Sequence, residues 1–336
     1  MRIAVIGLGF MGSTHLKAMQ SIPEVQLTAV CSNVPAALTG DMSSIQGNLG
    51  GPGEKFDFSN IGKYLEVEGV LADPNVDAVD ICLPTELHAK VAMQALRAGK
   101  HVLLEKPMAL TGAECDALVA EAEKQKKVLM VAQVLRFFPM YQSAKAALAK
   151  LGHPRNAIFR RRCAAPAWSQ WLKDKSKSGG GVFDLLIHDY DIALWMFGKP
   201  SHVSAVGHEA LEQGIDIITA QLHYESGLTV TVTGGWHHPK AYPFSMEYTI
   251  VCDGGSIEYS SAGKTPTLYG ADGADHPLPQ ESHDGYAEEI RYFAECVTKG
   301  VAPDRCSPVN SAEATKLALL CNEARLKNGE KIECRI

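Results

Sequence analysis

The opening stretch, RIAVIGLGFMG, constrains the fold more than any other part of the chain. Arg2–Ile6 is a short apolar run rich in β-branched residues and reads as a strand. Gly7, Gly9 and Gly12 follow in GxGxxG spacing. A helical stretch with His15, Leu16, Met19 and Gln20 then runs up to Pro23, and residues 25–32, VQLTAVCS, form a second strand. The glycines therefore sit between a strand and a helix in a βαβ unit of about thirty residues, the context in which this spacing binds a dinucleotide. Gly7 permits the tight turn. Gly9 lets backbone approach the pyrophosphate, and Gly12 lets the helix meet the strand. The helix start, from Phe10 and Met11 onward, offers unpaired N–H groups to the phosphates.

An acid usually ends the second strand about 20 residues later and holds the ribose 2′-hydroxyl. Ser32 stands there, followed by Asn33. No Lys or Arg occurs between residues 26 and 54, so nothing local neutralises a 2′-phosphate. NAD is the expected cofactor, with NADP left open. The plain alternative for Ser32 is a simple turn residue.

Residues 40–62 are rich in Gly, Ser and Asn and read as a long loop. The alternation then resumes. Residues 77–83, DAVDICL, form a buried strand that runs into Pro84 and Thr85. A helix over 86–98 has Val91, Ala95 and Leu96 on one side and Gly99 at its end. His101–Leu104 is the next strand, 111–126 a helix, and 128–134 the last strand of the sheet. Glu105 and Lys106 follow the His101–Leu104 strand directly. Ligands of a doubly wound sheet bind at the carboxyl ends of its strands, so Lys106 is expected in the cofactor crevice.

The length of 336 residues allows two domains, each able to bury a core. A net charge of −6 gives no basic surface for nucleic acid or an anionic membrane. Nine cysteines are scattered without a CxxC, which suits free thiols in a reducing compartment and not a zinc site; no metal is expected. The first residues mimic a signal peptide but are too short and glycine-rich, and no apolar run approaches the roughly 20 residues of a membrane span. A soluble cytoplasmic protein is expected.

The second informative stretch is SGGGVFDLLIHDYDIALWMFG, residues 178–198. Three glycines lead into a helix that ends at Gly198. Asp184 and His188 are four apart and share a face, with Leu185, Ile192 and Trp195 on the packed side. A carboxylate one turn from an imidazole suits general base work. Asp191 is placed to orient His188 or to cap nearby groups. His237 and His238 are a second candidate pair, but neighbours in a strand point to opposite faces. From residue 203 to 261 the pattern is of strands. Thr229, Thr231 and Thr233 fall on one face and Val230 and Val232 on the other, an antiparallel sheet with one face against helices. A partner chain is expected over the threonine face. Two helices close the chain, over 288–298 and over 311–327, the latter with Asn310 as N-cap and Glu313 in capping-box spacing.

Together these residues resemble the Gfo/Idh/MocA oxidoreductases, the glucose–fructose oxidoreductase and inositol dehydrogenase family. The likeness runs through VIGLGFMG (5–12), VDAVDICLPTELHAKVAMQALRAGKHVLLEKPMAL (76–110), GGGVFDLLIHDYDIALWMFG (179–198) and DGYAEEIRYFAECV (284–297). It implies an N-terminal Rossmann domain with a doubly wound parallel sheet over 1–130. It implies a C-terminal α+β domain with a large open, mainly antiparallel sheet over 131–336, used for substrate and for homodimer or homotetramer formation. It implies catalytic roles for Lys106, Asp184 and His188. Leu83, Pro84, Thr85, His88 and Glu105 are implied beside the cofactor, and Arg136, Tyr286 and Trp168 at the substrate, with Trp171 a further stacking candidate. The implied reaction is NAD(P)-dependent hydride transfer at a secondary alcohol of a sugar or cyclic polyol. An NAD-retaining glycosidase and a non-catalytic dinucleotide sensor are the rivals. Ser32 in place of the acid departs from the NAD-preferring members.

Overall fold

A computed structural model describes residues 1–45, 47, 53–167 and 169–336. Two compact units emerge: residues 1–134 with 283–312, and residues 135–282 with 313–336. The second domain expected over 131–336 takes no account of this return. Residues 283–312 cluster with the first unit because the helix they carry packs on the first helix of the chain.

The first unit contains β1 (Arg2–Ile6), α1 (Phe10–Met19), β2 (Gln26–Cys31), β3 (Gly62–Tyr64), α2 (Val67–Ala72), β4 (Ala78–Ile81), α3 (Thr85–Arg97), β5 (His101–Leu104), α4 (Gly112–Gln125) and β6 (Leu129–Val131). Among the described residues its strands form one parallel sheet in the order β3-β2-β1-β4-β5-β6. The chain reverses direction of winding between β1 and β4, which opens the crevice at the strands' carboxyl ends. Those ends are level. Ile6 pairs with Cys31 and Ile81, Ile81 with Leu104, and Leu104 with Val131. Gly7, Cys82, Glu105 and Ala132 therefore follow in a row along one edge. Ile3–Ile6, β4 and Val102–Leu104 are buried because helices cover both faces, as parallel sheets require. The last strand is shorter than the expected 128–134, because residues 134–137 turn into a 3-10 helix.

The second unit opens with α5 (Pro139–Leu148), β7 (Pro154–Cys163), α6 (Lys175–Ser178) and α7 (Gly181–Phe197). Then come β8 (His202–Ala210), β9 (Ile215–His223), β10 (Thr229–Trp236), β11 (Ser245–Cys252), β12 (Gly255–Ser260), β13 (Lys264–Gly270) and β14 (Asp275–Pro277). After α8 (Gly285–Lys299) of the first unit come α9 (Pro308–Leu326) and β15 (Ile332–Glu333). The strands form a nine-stranded sheet, β14-β13-β12-β11-β7-β10-β9-β8-β15, antiparallel except between β7 and β10. β7 lies near its centre, yet the sequence reading starts the strands at residue 203. Three consecutive arginines hide the alternation, and the inward one, Arg161, is tolerated because Asp189 pairs with it. Val230 and Val232 are buried while Thr229, Thr231 and Thr233 stay half-exposed, as their alternation implies. The start of α9 differs from expectation. Ser307, not Asn310, caps it: the Ser307 hydroxyl oxygen accepts the Asn310 N–H at 3.2 Å, and Pro308 takes the first helical position.

Candidate active site

In the first unit, the glycine turn is built against the end of β4. Gly7 has φ +98°, and a Cβ there would lie 2.4 Å from the Cys82 carbonyl oxygen. A Cβ on Gly12 would lie 2.0 Å from the Gly7 carbonyl oxygen. At Gly9 a Cβ would meet no atom of the described residues within 4 Å. Gly9 is also the N-cap of α1 and supplies no side-chain cap. The turn thus closes against the sheet on two sides and leaves open the side from which a pyrophosphate would approach the helix start.

Ser32 is buried at the end of β2, and its hydroxyl oxygen accepts the Val34 N–H at 3.1 Å. It shapes the turn, while Asn33 next to it is exposed. Leu83, Pro84 and Thr85 lead into α3, with Thr85 buried at its first turn. His88, one turn on, is buried too, and its ring is committed to backbone. Nδ1 lies 2.7 Å from the Pro107 carbonyl oxygen and Nε2 2.7 Å from that of Leu83. Burial lowers the His88 pKa, against the two carbonyls, which raise it. His88 therefore ties the β4 exit to the Glu105–Lys106–Pro107 turn. Within residues 102–109 every residue is buried except Lys106, which is half-exposed. Glu105 is buried beneath it and accepts the Lys106 N–H at 3.0 Å. Tyr286, at the start of α8, belongs to this unit, and its phenol pKa is raised by burial and by the Glu105 charge.

In the second unit, α7 is buried on nearly every side. Between Gly181 and Leu194 all residues are buried save Asp184 and His188. These two alone open this stretch, one turn apart on one face. Asp184 acts on the Cys163 thiol, whose pKa is pushed up to about 12 by burial and by that carboxylate. The helix is held by three buried acid–arginine contacts. Asp189 meets Arg161 of β7 at 2.7 Å, and Asp191 meets Arg136 at 2.7 Å. Asp216 of β9 accepts the Val182 N–H at 3.0 Å with one oxygen and meets Arg325 at 2.6 Å with the other. An acid at a helix N-terminus satisfies an orphan N–H and complements the dipole. Burial raises the carboxyl pKa of Asp189 and Asp191, and the arginines counter it. Asp191 thus serves Arg136 and does not orient His188. Arg136, expected at the substrate, is 2 % exposed and spends two hydrogen bonds on Asp191. Trp171 is half-buried, and Trp168 lies outside the described residues.

Residues 1–133 match the oxidoreductase family with an NAD-binding Rossmann fold, and residues 141–258 match the GFO/IDH/MocA C-terminal domain. A UDP-N-acetylglucosamine 3-dehydrogenase from Acidithiobacillus ferrooxidans is 32 % identical over 88 % of this chain and 88 % of its own length. The chain belongs to the GFO/IDH/MocA oxidoreductase family. A myo-inositol 2-dehydrogenase from Thermotoga maritima is 27 % identical over 98 % of this chain and 97 % of its own. The fold is shared with a levoglucosan dehydrogenase solved with NADH and L-sorbose, at a TM-score of 0.85 and 20 % identity, over 100 % of this chain and 99 % of that one.

The residues present fit the dinucleotide of a GFO/IDH/MocA oxidoreductase, NAD or NADP. The open side of Gly9 at an uncapped helix start is the observation that supports it. Residue reasoning passed over the supports. Asp216 and Asp80 each interrupt an apolar strand, DIITA and AVDI. A charge in a buried strand needs a partner, and that is the signal that could have found them.

Proposed function

We propose that this protein is an NAD(P)-dependent dehydrogenase acting on a secondary alcohol of a sugar or cyclic polyol. The observation that carries the reading is the pair Asp184 and His188, the only breaks in the buried surface of α7 from Gly181 to Leu194. Two polar side chains four residues apart on an otherwise buried helix are placed to act on a ligand, not to pack. His188 takes the hydroxyl proton as a general base. Asp184 orients the imidazole and supports its charged form. Lys106 donates a hydrogen bond to the reacting oxygen and stabilises its alkoxide character. The glycine turn from Gly7 to Gly12 holds the pyrophosphate, and Ser32 and Asn33 face the ribose; bound nicotinamide supplies the hydride acceptor. NAD is favoured because no basic residue lies near Ser32 in sequence. Names of relatives such as myo-inositol 2-dehydrogenase support the substrate class.

A homo-oligomer through the outer face of the nine-stranded sheet accompanies this reading. Ile158, Val206 and Val251 are 40 %, 52 % and 37 % exposed on strands whose alternate residues are buried. A cytoplasmic location is supported by nine free cysteines.

The deciding experiment is a panel of polyols, aldoses and sugar lactones, each tried with NAD and NADP in both directions while reduced-nicotinamide absorbance is followed. Turnover on a polyol or sugar is expected. Hydrolysis of a glycoside with flat absorbance would replace the reading with a glycosidase. Cofactor binding with no turnover across the panel would replace it with a sensor.

A further inference from the structure

We propose that His15 is the positioning residue of the Glu105–Lys106 turn: an imidazolium clamped between two carboxylates, it fixes Glu105, and Glu105 fixes the backbone from which Lys106 projects. The inference rests on the role given to Lys106 above.

The clamp is built from three elements of the first unit. His15 lies on α1, Asp80 on β4 and Glu105 at the exit of β5. His15 Nδ1 is 2.8 Å from Asp80 Oδ2, and Nε2 is 3.2 Å from Glu105 Oε1. The side chains of His15 and Asp80 are fully buried and that of Glu105 is 6 % exposed. The Nδ1 contact is a hydrogen bond, whereas the Nε2 contact is an ion-pair distance without hydrogen-bond geometry, so the second is favourable only when the ring carries its positive charge, that is, when both ring nitrogens are protonated. The other oxygen of Glu105 accepts the Lys106 N–H at 3.0 Å. A chain of contacts thus runs from α1 to the residue at the reacting oxygen.

The surrounding charges agree. Burial pulls the His15 pKa down, but the charge of Asp80 and its hydrogen bond oppose this, and the pKa stands well above the ordinary imidazole value. Burial raises Glu105, and His15, Lys106 and His88 more than reverse this, so Glu105 stays below its ordinary value. Cys82 sits 3.6 Å from His15 Nδ1 and 3.4 Å from Asp80 Oδ1, and burial with Asp80 keeps its thiol protonated. Tyr286 of α8 faces His15 with ring centroids 6.2 Å apart.

His15, Asp80 and Cys82 also lie close enough to share one metal ion. Two ligands on a tetrahedral zinc stand about 3.3 Å apart, as follows from bond lengths near 2.0–2.1 Å. The 2.8 Å between His15 and Asp80 is a hydrogen-bond distance, which a proton explains without an ion.

The test has two arms. In protein labelled with 15N in its histidines, the His15 signals, identified by their absence from His15→Gln, should show both ring nitrogens protonated at neutral pH and above. A neutral ring at neutral pH, or stoichiometric zinc in the purified protein, would overturn the proposal. This arm needs no substrate, so it stands even if the dehydrogenase reading fails. The kinetic arm uses a substrate that turns over in the panel. His15→Gln should lower kcat by roughly tenfold or more, with the dinucleotide Kd within about twofold. In a Lys106→Ala background the same change should cost nothing further, because His15 acts through Lys106. Additive losses would make His15 merely structural and overturn the inference. Should His15→Gln not fold, Asp80→Asn takes its place: the His15 signals are then the imidazole signals it shifts most, read for protonation in the parent protein, and the kinetic outcomes decide as before.

Discussion

The Arg136 guanidinium meets the Asp191 carboxylate in two hydrogen bonds, 2.8 Å from Nε and 2.7 Å from Nη2, with both side chains 1 % exposed. A pair this deep adds little net stability, yet breaking one side strands a buried charge. Asp191→Ala should therefore cost about 3–5 kcal/mol. The double change Arg136→Met with Asp191→Leu should recover most of it, because it removes both charges and fills the volume. Urea unfolding of the three proteins checks this. A double variant as unstable as Asp191→Ala would show that the pair itself, and not the stranded charge, holds α7.

The glycine turn offers a cleaner separation of fold from function. A methyl group at Gly12 would stand 2.0 Å from the Gly7 carbonyl oxygen, so Gly12→Ala should lower the stability of the ligand-free protein. A methyl at Gly9 meets no atom of the described residues within 4 Å, so Gly9→Ala should leave stability within about 0.5 kcal/mol. It should nevertheless weaken dinucleotide binding by roughly tenfold or more, because the added group takes the space the phosphates approach through. Thermal unfolding and a fluorescence titration with reduced cofactor distinguish the two variants. Unchanged affinity in Gly9→Ala would place the pyrophosphate elsewhere.

What the sequence made legible, and what it hid, follow from the same physics. Glycine spacing, strand alternation and the Asp184–His188 interval are local, so α1, β10 and α7 stand where their residues imply. β7 was hidden because its inward Arg161 is acceptable only with Asp189, a residue 28 positions away on α7. The pairing of Arg136 is hidden in the sequence for the same reason: its partner Asp191 lies 55 positions on. His15 looked like an ordinary helix residue until Asp80 and Glu105, 65 and 90 positions away, came up against it. Asn310 and Glu313 imitate a cap three residues inside the true helix start, whereas Ser307 followed by Pro308 is the cap.

The roles assigned to the exposed polar residues make a graded kinetic prediction. His188→Ala and Lys106→Ala should each lower turnover by roughly a hundredfold or more, the range for a general base and for an electrostatic donor. Asp184→Asn, which keeps the shape but weakens support for the charged imidazole, should lower it by about tenfold to a hundredfold. His188→Ala and Asp184→Asn should bind the dinucleotide much as the parent does, since neither belongs to the glycine turn or to the Glu105–Lys106 exit of β5. Steady-state rates on the substrate from the panel, alongside cofactor titrations, test this. Parent-like turnover in both alanine variants would end the assignment.

His101 gives a pH dependence with a definite sign. It opens β5, and its Nδ1 accepts the Val128 N–H at 3.0 Å, which requires that nitrogen to be unprotonated. Burial, with the Lys127 charge, lowers its pKa from 6.5 to about 4. Folding therefore favours the neutral ring. The stability this contributes is present above pH 6.5 and is lost as pH falls toward 4. The ring is partly open to solvent, so screening limits the loss to about 1–2 kcal/mol. Asp77, paired with Arg2, has its pKa lowered to about 2 and titrates below this window. His101→Asn can keep an acceptor for Val128 but cannot titrate there. Its unfolding midpoint should shift less than the parent's between neutral pH and pH about 4.5. Equal shifts in the two proteins would mean that His101 is already neutral in the unfolded chain or charged in the folded one, and that β5 is not the element through which acid loosens the first unit.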